Sequence, residues 1–472
     1  MLFNSIPFLL FFPLVLAVYY SLPASWIRGR NLWLLAASYY FYMNWEPVYA
    51  LLLLTCTMVT YLSAIGMEKT SGTGGRKFCL IMGIVLNMAI LFLFKYYNFL
   101  ASEISVALHS SGLSVNFPCL GLLLPVGISF YTFQAVGYSI DVYRGTTTAE
   151  RDFFTYALFV SFFPQLVAGP IERSGRLLPQ FREQHRFDYG QAMTGLKLMV
   201  WGYFLKLALA DRCSLYVDAV FNHVDSHNGG SYLLASLLFP FQIYGDFAGY
   251  SLIAIGAARI MGFRLMENFR RPYFAASVGE FWHRWHISLS TWFRDYVYIP
   301  LGGSRVNQTR CCVNLLVTFA VSGIWHGANW TFLCWGFIHG VLICTERILG
   351  IGRHQLSGTR RLVHCMLTFI LVSLAWIFFR ADNLGDAITV LTGIFFRLAV
   401  PDISYAMFTE ITAALAAIAV VICREWVVER GRRLNWVNRH PMTVTHTTAV
   451  LVTAYILLMG VMGGEQFIYF QF

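Results

Sequence analysis

Residues 50–65, "ALLLLTCTMVTYLSAI", form a run without a single charged side chain. Together with its flanking residues, a helix through this run is long enough to cross the hydrocarbon core of a bilayer, which takes about 20 residues. Similar apolar runs occur at residues 8–20 and 449–462. These stretches predict membrane-spanning helices, and their recurrence predicts a protein that crosses the bilayer many times.

The composition of the whole chain agrees with a lipid environment. Of the 472 residues, 57% are hydrophobic and 12% are charged, whereas a soluble domain carries about 25% charged residues. Counting the apolar runs predicts an all-α polytopic membrane protein with about 10 to 12 transmembrane helices. No Lys or Arg precedes the first run, so it lacks the basic segment of a signal peptide and is interpreted as a retained span.

The net charge of +10 has a topological explanation. The basic residues are spread over loops between apolar runs, which argues against a nucleic-acid-binding face. The positive-inside rule places the basic loops in the cytoplasm. Both chain termini are then extracytoplasmic, which requires an even number of spans. Loops such as residues 101–118, which contain no Lys or Arg, would face outward.

Residues 1–472 are interpreted as one membrane domain in three parts. Residues 1–100 contain well-separated spans, and residues 341–472 contain ordinary spans followed by an aromatic tail. Between them, the runs in residues 121–340 are short and interrupted by polar, Pro and Gly residues. Such backbone survives at membrane depth only where it is buried in protein or lines a wet cavity. The middle part therefore predicts a tunnel with re-entrant or interfacial helices around it.

One polar cluster lies in "FQIYGDFAGYS", residues 241–251. A carboxylate in an apolar segment must be paired or face water. Asp246 is therefore interpreted in two ways. It accepts hydrogen bonds from neighbouring hydroxyl or backbone groups, or it contacts a substrate together with Gln242.

A second cluster lies in "GEFWHRWHISLSTWFRDYVYIPLGGSR", residues 279–305. A continuous helix would make Glu280, His283 and His286 neighbours at three-residue spacing. We expect no metal site, because the segment has no HExxH motif and no evident third ligand. An amphipathic interfacial helix is the ordinary alternative, but it leaves two histidines beside serines unexplained.

The third cluster, "GIWHGANW" at residues 323–330, places His326 beside tryptophans and glycines. A histidine is costly within a membrane and is usually kept there for a function. Gly323 and Gly327 would allow a substrate chain to approach the ring closely. A neutral imidazole can take a proton from a hydroxyl at neutral pH. His326 is therefore a candidate base, with a purely structural hydrogen bond as the alternative.

The second cluster and "GIWHGANWTFLCWGFIHG", residues 323–340, together resemble the membrane-bound O-acyltransferase (MBOAT) family. Within it the chain is most similar to the bacterial branch that acts in alginate O-acetylation and teichoic acid D-alanylation. Supporting stretches of the same branch occur in order at residues 124–145, 162–181, 242–251 and 269–282. The resemblance covers nearly the whole chain.

The resemblance implies a role for several residues. The catalytic histidine of the family matches His326, and a second family position, in "FWHRWHIS", matches His286. His286 would hold the thioester oxygen or orient the acceptor. Members of the family take an acyl group from a cytoplasmic thioester and pass it through a tunnel to a hydroxyl. For this chain the resemblance implies acetyl-CoA or an acyl carrier thioester as the donor and no permanently bound cofactor. The other expected substrate contacts are Trp282, Trp285, Trp325, Asn329, Ser290, Gln242 and Asp246. Candidates for binding the coenzyme A phosphates are Arg173, Arg176 and Arg305.

The chain ends in "EQFIYFQF", residues 465–472. An aromatic belt at the outer interface explains this composition. The segment also resembles a C-terminal motif of the bacterial branch, which implies that the hydroxyl of Tyr469 carries the acyl group in a two-step transfer.

Several hypotheses remain open at this point. The expected function is O-acetylation of an exopolysaccharide such as alginate or of a cell-wall polymer, in the bacterial inner membrane with an esterase-like or acetyltransferase partner outside it. D-alanyl or other acyl transfer to a teichoic-acid-like acceptor is the alternative within the family. A membrane transporter is the alternative from another class, which the lack of an internal inverted repeat disfavours.

Overall fold

The computed structural model describes residues 1–167, 169–352, 356–431 and 441–461, with the side chains of 441–446 left out. Within these ranges the chain folds into α-helices with no β-strand. The helices separate into two compact units, each described by itself. Unit 1 comprises Met1–Leu196 and Ala254–Met266, and unit 2 comprises Lys197–Ile253 and the chain from Glu267 onward.

Unit 1 is built mainly from the N-terminal helices. They are α1 (Ile6–Ser21), α2 (Ile27–Met43), α3 (Tyr49–Lys69), α4 (Thr73–Lys95), α5 (Tyr97–Ser110), α6 (Ile128–Arg144) and α7 (Phe153–Ser161). Helix α3 packs against both α4 and α6. Polar side chains join neighbouring helices, as where Tyr156 donates a hydrogen bond to Thr60 over 2.7 Å. Short turns at Phe163–Leu166 and Ser174–Leu177 follow α7.

Unit 2 contains the later helices and part of two long ones. The helices are α8 (Tyr189–Tyr203), α9 (Asp211–Phe221), α10 (Gly229–Ile260), α11 (Val278–Arg284), α12 (Ile287–Phe293), α13 (Gln308–His326), α14 (Trp330–Leu349), α15 (Gly358–Arg380), α16 (Leu384–Phe396), α17 (Tyr405–Glu429) and α18 (Pro441–Met459). Helices α8 and α10 each contain residues of both units. A π-helical stretch, Phe204–Ala210, joins α8 to α9, and another, Arg294–Tyr298, follows α12.

Six helical segments among the described residues are long and apolar enough to cross a membrane. They are α3, α4, the segment from α8 through α9, α14, α15 and α17. Shorter apolar helices occur at Ile6–Ser21, Leu384–Phe396 and Thr447–Met459. The predicted all-α membrane fold is confirmed. The runs quoted from the sequence overlap α1, α3 and α18, of which α3 is one of the six and the other two are among the shorter apolar helices.

Charged side chains connect α11, α15 and α17 near their ends. Glu429 of α17 accepts hydrogen bonds from Arg284 at 2.9 Å and from Arg271 at 2.7 Å. Arg284 also contacts Glu280, one helical turn earlier, at 2.6 Å. Arg361 of α15 approaches Glu429 at 3.3 Å. This charge cluster holds the short helix α11 against two long helices of unit 2.

Candidate active site

His326 is the last residue of α13 and is buried, with 3% of its surface exposed. Aromatic rings surround it. The ring centroids of Trp325 and Trp335 both lie 4.9 Å from the imidazole, and that of Phe379 lies 5.3 Å away. The base expected from the sequence is therefore enclosed in an apolar aromatic setting from α13, α14 and α15.

The glycines beside His326 serve helix packing. A side chain at Gly323 would overlap the backbone of Phe332 in α14, and one at Gly327 would overlap the ring of Phe332. Gly336 in turn faces the backbone of Phe319. Small residues allow membrane helices to approach closely. The expectation that Gly323 and Gly327 leave room for a substrate chain is wrong, because α14 fills that space.

His286 lies at a sharp break between two short helices. Helix α11 ends at Arg284, His286 adopts a left-handed backbone (φ 42°, ψ 54°), and α12 begins at Ile287. The expected continuous helix through Glu280, His283 and His286 is therefore wrong. His283 is exposed and its Nδ1 contacts the carbonyl of Gly279, 2.6 Å away. His286 is fully buried.

Both buried histidines lie beside one indole. The ring of His286 is 6.3 Å from that of Trp325, which lies next to His326. Phe247 of α10 packs edge-on against His286 at 4.5 Å. The structure thus brings together His326, His286 and Trp325, three residues that the sequence predicted for the site. No group of three or more potential metal ligands occurs among the described residues.

Asn268 contacts His286 directly, and sequence reasoning missed it. Its Oδ1 lies 3.0 Å from Nδ1 of His286 and accepts a hydrogen bond from the hydroxyl of Ser288 at 2.9 Å. Its Nδ2 donates to the hydroxyl of Ser251 at 3.1 Å. Asn268 directly precedes the stretch at residues 269–282 that carries part of the family resemblance, and nothing in the local sequence pattern indicated that it is buried.

A third buried histidine, His339 of α14, supports the predicted contact residue Trp282. The indole N–H of Trp282 donates to Nδ1 of His339 at 3.2 Å. Trp335 lies between the two histidines of this region, 4.9 Å from His326 and 5.1 Å from His339. Trp285, also predicted, is buried and stacks on Phe281 at 5.4 Å.

A cavity of about 380 Å³ lies next to these residues in unit 2. Trp282 and Ser290, two predicted contacts, line it together with Ser322, which precedes His326 by one helical turn. Ile287, the residue after His286, also lines it. A larger cavity of about 1100 Å³ lies between α15 and α17 and borders the charge cluster. Neither His286 nor His326 lines either cavity, but the residue that follows His286 lines the smaller one. The smaller cavity is therefore the better candidate for a reacting group.

Asp246 is part of a buried ion cluster. Nζ of Lys206, in the π-helical stretch, lies 2.7 Å from carboxylate oxygens of both Asp246 and Asp211. All three side chains are almost completely buried. Neither expected interpretation of Asp246 included Lys206, although a lysine in an apolar helix requires a counter-ion. Gln242, one turn earlier on α10, is buried as well.

The remaining predicted residues lie in varied surroundings. Asn329 caps α14, with its oxygen accepting from the backbone of Thr331 at 3.0 Å and its amide donating to the carbonyl of Asp382 at 2.7 Å. Arg305 is exposed in unit 2, whereas Arg173 and Arg176 belong to unit 1. Tyr469 lies outside the described residues.

The arrangement suits proton transfer in a dry environment. Burial in low dielectric strengthens electrostatic interactions and excludes water that would hydrolyse a thioester. His286 lies outside the long spanning helices, and burial lowers its pKa to about 3, so the ring is neutral at physiological pH. A neutral imidazole has one nitrogen that donates and one that accepts.

Comparisons with known proteins agree with the geometry. The model of the MBOAT, membrane-bound O-acyltransferase family, matches residues 149–384. The chain is 39% identical to a probable alginate O-acetylase of Azotobacter vinelandii, covering 89% of this chain and 84% of that protein. It is 34% identical to a peptidoglycan O-acetyltransferase of Helicobacter pylori, covering 77% and 73%. It is 27% identical to a teichoic acid D-alanyltransferase of Bacillus subtilis, covering 63% and 74%. The predicted resemblance is confirmed: this chain belongs to the membrane-bound O-acyltransferase family and is a multi-pass membrane O-acyltransferase.

Proposed function

We propose that the protein moves an acetyl group from a cytoplasmic thioester to a hydroxyl of an extracytoplasmic polysaccharide, with alginate as the first candidate. The observation that carries this proposal is the pair of buried histidines, His286 and His326, that lie beside the same indole, that of Trp325. The probable alginate O-acetylase relatives support acetyl as the group and alginate as the acceptor.

His326 is the base in this proposal. The acceptor oxygen attacks the thioester carbonyl carbon, a C–O bond forms and the C–S bond breaks. The hydroxyl proton passes to His326 and then to the departing sulfur, which leaves as a free thiol. The aromatic rings around His326 keep water away from the thioester.

The donor is acetyl-CoA or an acetyl carrier that enters from the cytoplasm. The cavity beside Trp282 and Ser290 supports a place for the acetyl end of the donor. Arg305 of unit 2 is the proposed binding residue for the phosphates of coenzyme A. The same role stays a prediction for Arg173 and Arg176 of unit 1. Both termini are extracytoplasmic in the bacterial inner membrane. Tyr469 is then the first acceptor, and its hydroxyl oxygen takes the acetyl group as an ester. A hydroxyl of an esterase-like or acetyltransferase partner attacks that ester, the bond between the acetyl group and the Tyr469 oxygen breaks, and Tyr469 regains a proton.

Replacing His326 tests the mechanism. The variant His326→Gln is expected to lower thiol release from acetyl-CoA by about 10²- to 10⁴-fold, because the base is lost. Thiol release is measured with purified protein in liposomes, and ester acetyl groups are counted on the polymer of producing cells. The matched control is His223→Gln, which changes an exposed histidine that does not line the cavity.

The outcomes separate the competing functions. Wild-type turnover in His326→Gln would refute the base role. A wild-type protein that releases no thiol from acetyl-CoA but does so from a D-alanyl thioester would favour the D-alanyl alternative, which the teichoic acid relatives support. Transport of a solute without thiol release would refute the acyltransferase proposal altogether.

A further inference from the structure

Asn268 closes the break between α11 and α12 with several hydrogen bonds. Its backbone carbonyl accepts from the amide of Ile287 at 2.9 Å. Its Oδ1 contacts Nδ1 of His286 at 3.0 Å, the hydroxyl of Ser288 at 2.9 Å and the amide N–H of Ser288 at 3.3 Å. Asn268 is 1% exposed, so these bonds form away from water.

The contact with the Ser288 backbone fixes the orientation of the Asn268 amide. Oxygen and nitrogen of an asparagine side chain are assigned from their partners. A backbone N–H can only donate, so the atom that faces it must be the oxygen. The opposite orientation would place the NH₂ group of Asn268 against the N–H of Ser288. The partner of Nδ2, the hydroxyl of Ser251, accepts or donates and is compatible with this assignment.

The same oxygen decides the tautomer of His286. A carbonyl oxygen only accepts, so Nδ1 of His286 must carry the proton that it shares with Asn268. In a neutral ring Nε2 then presents a lone pair. We propose, on the basis of the acyltransferase function above, that Asn268 is a positioning residue that holds His286 in the Nδ1–H tautomer, so that Nε2 accepts a hydrogen bond from a hydroxyl of the acyl acceptor.

The surroundings of His286 leave the ring little freedom to change this arrangement. Phe247 packs against it edge-on, and Phe269 stacks on it at 6.3 Å. The left-handed backbone of His286 is uncommon for a non-glycine residue, and strain of this kind persists where the surroundings impose it. The bond between Ile287 and the carbonyl of Asn268 is one such restraint.

This tautomer gives His286 and His326 different roles in the proposed reaction. The rings of His286 and His326 lie 6.3 Å and 4.9 Å from the indole of Trp325. His286 orients the acceptor and His326 takes the proton. Holding the thioester oxygen, the other role expected for His286, would require a proton on Nε2.

Three substitutions test the proposal. Asn268→Ala removes the acceptor for Nδ1–H, and we expect it to lower kcat by about 10- to 100-fold, as loss of a partner that orients a histidine does. Asn268→Asp keeps an acceptor oxygen for His286 and Ser288, so it should retain most activity at high pH. Asn314→Ala is the matched control, because Asn314 is equally buried and donates to the carbonyl of Gly303 at 3.2 Å.

The pH profile separates orientation from simple stability. A carboxylate at position 268 favours the protonated ring and raises its pKa, and a protonated ring cannot accept at Nε2. The acid limb of kcat should therefore move to higher pH in Asn268→Asp and stay unchanged in Asn314→Ala. Nitrogen-15 NMR of histidine-labelled protein in bilayers, compared with His286→Gln, should show the proton of His286 on Nδ1.

The opposing results are equally distinct. A signal from Nε2–H at His286, or unchanged kcat in folded Asn268→Ala together with an unmoved acid limb in Asn268→Asp, would overturn the proposal. If Asn268→Ala does not fold, the Asn268→Asp profile and the NMR signal still decide. The NMR readout needs no turnover, so it remains informative even if acetyl transfer itself is refuted.

Discussion

At the residue scale, the buried cluster of Lys206, Asp211 and Asp246 combines one cation with two carboxylates. Removing the cation leaves two carboxylates buried without the positive charge that they share, which costs about 3–5 kcal/mol. We therefore expect Lys206→Met to lower thermal stability in detergent more than Asp246→Asn, which leaves a neutral pair of Lys206 and Asp211. Thermal unfolding followed by tryptophan fluorescence measures the difference.

The same pair of variants decides between the two interpretations of Asp246. If Asp246 is structural, Asp246→Asn keeps thiol release near the wild-type rate. If it contacts substrate, the variant folds normally but loses activity. Equal stability of Lys206→Met and wild type would contradict the ion-cluster argument.

Single residues could be predicted from the sequence where an ionisable side chain lies in an apolar segment. His326 and Asp246 stood out because ionisable groups in apolar segments need a reason. Asn268 did not, because an amide is less costly to bury and its partner His286 lies 18 residues away in sequence. The pairing depends on a backbone break at His286 that no local pattern indicated.

At the element scale, the contact between α13 and α14 positions His326. Gly323 lies against the backbone of α14 at Phe332, so Gly323→Val should push the helices apart and move His326 within its aromatic surroundings. Misplacing a catalytic group by about 1 Å can cost about 100-fold in rate. We expect a loss of this order in thiol release, with a smaller effect on expression and membrane insertion.

A matched control is available in α4. Gly74 has nothing within 4 Å of the position where a side chain would begin, so Gly74→Val should leave activity unchanged. Full activity of Gly323→Val would show that the packing of α13 on α14 does not position His326.

Helix types and lengths were largely predictable, whereas their interruptions were not. Apolar runs indicated α1, α3 and α18, because hydropathy alone specifies a span. The separation of α11 from α12 depends on Asn268 and on the restraints around His286, which are tertiary contacts. The π-helical stretch at Phe204–Ala210 likewise accompanies the burial of Lys206.

At the scale of the whole molecule, the distribution of basic residues along the chain predicts which connections between helices face the cytoplasm. Cys119 is exposed and directly follows residues 101–118, which lack Lys and Arg. These residues were expected to form a loop, but residues 101–110 belong to helix α5. The positive-inside rule assigns a connection without basic residues to the extracytoplasmic side. We expect a membrane-impermeant maleimide to label Cys119 in intact spheroplasts without permeabilisation.

The other exposed cysteine among the described residues, Cys423, lies in the apolar helix α17. Maleimides react with the thiolate, which forms in water and not in hydrocarbon, so Cys423 should not be labelled. Labelling should therefore disappear in Cys119→Ser and persist in Cys423→Ser. Labelling of Cys119 only after permeabilisation would reverse the orientation. The proposed thioester donor would then need another entrance, because the basic loops would no longer face the cytoplasm.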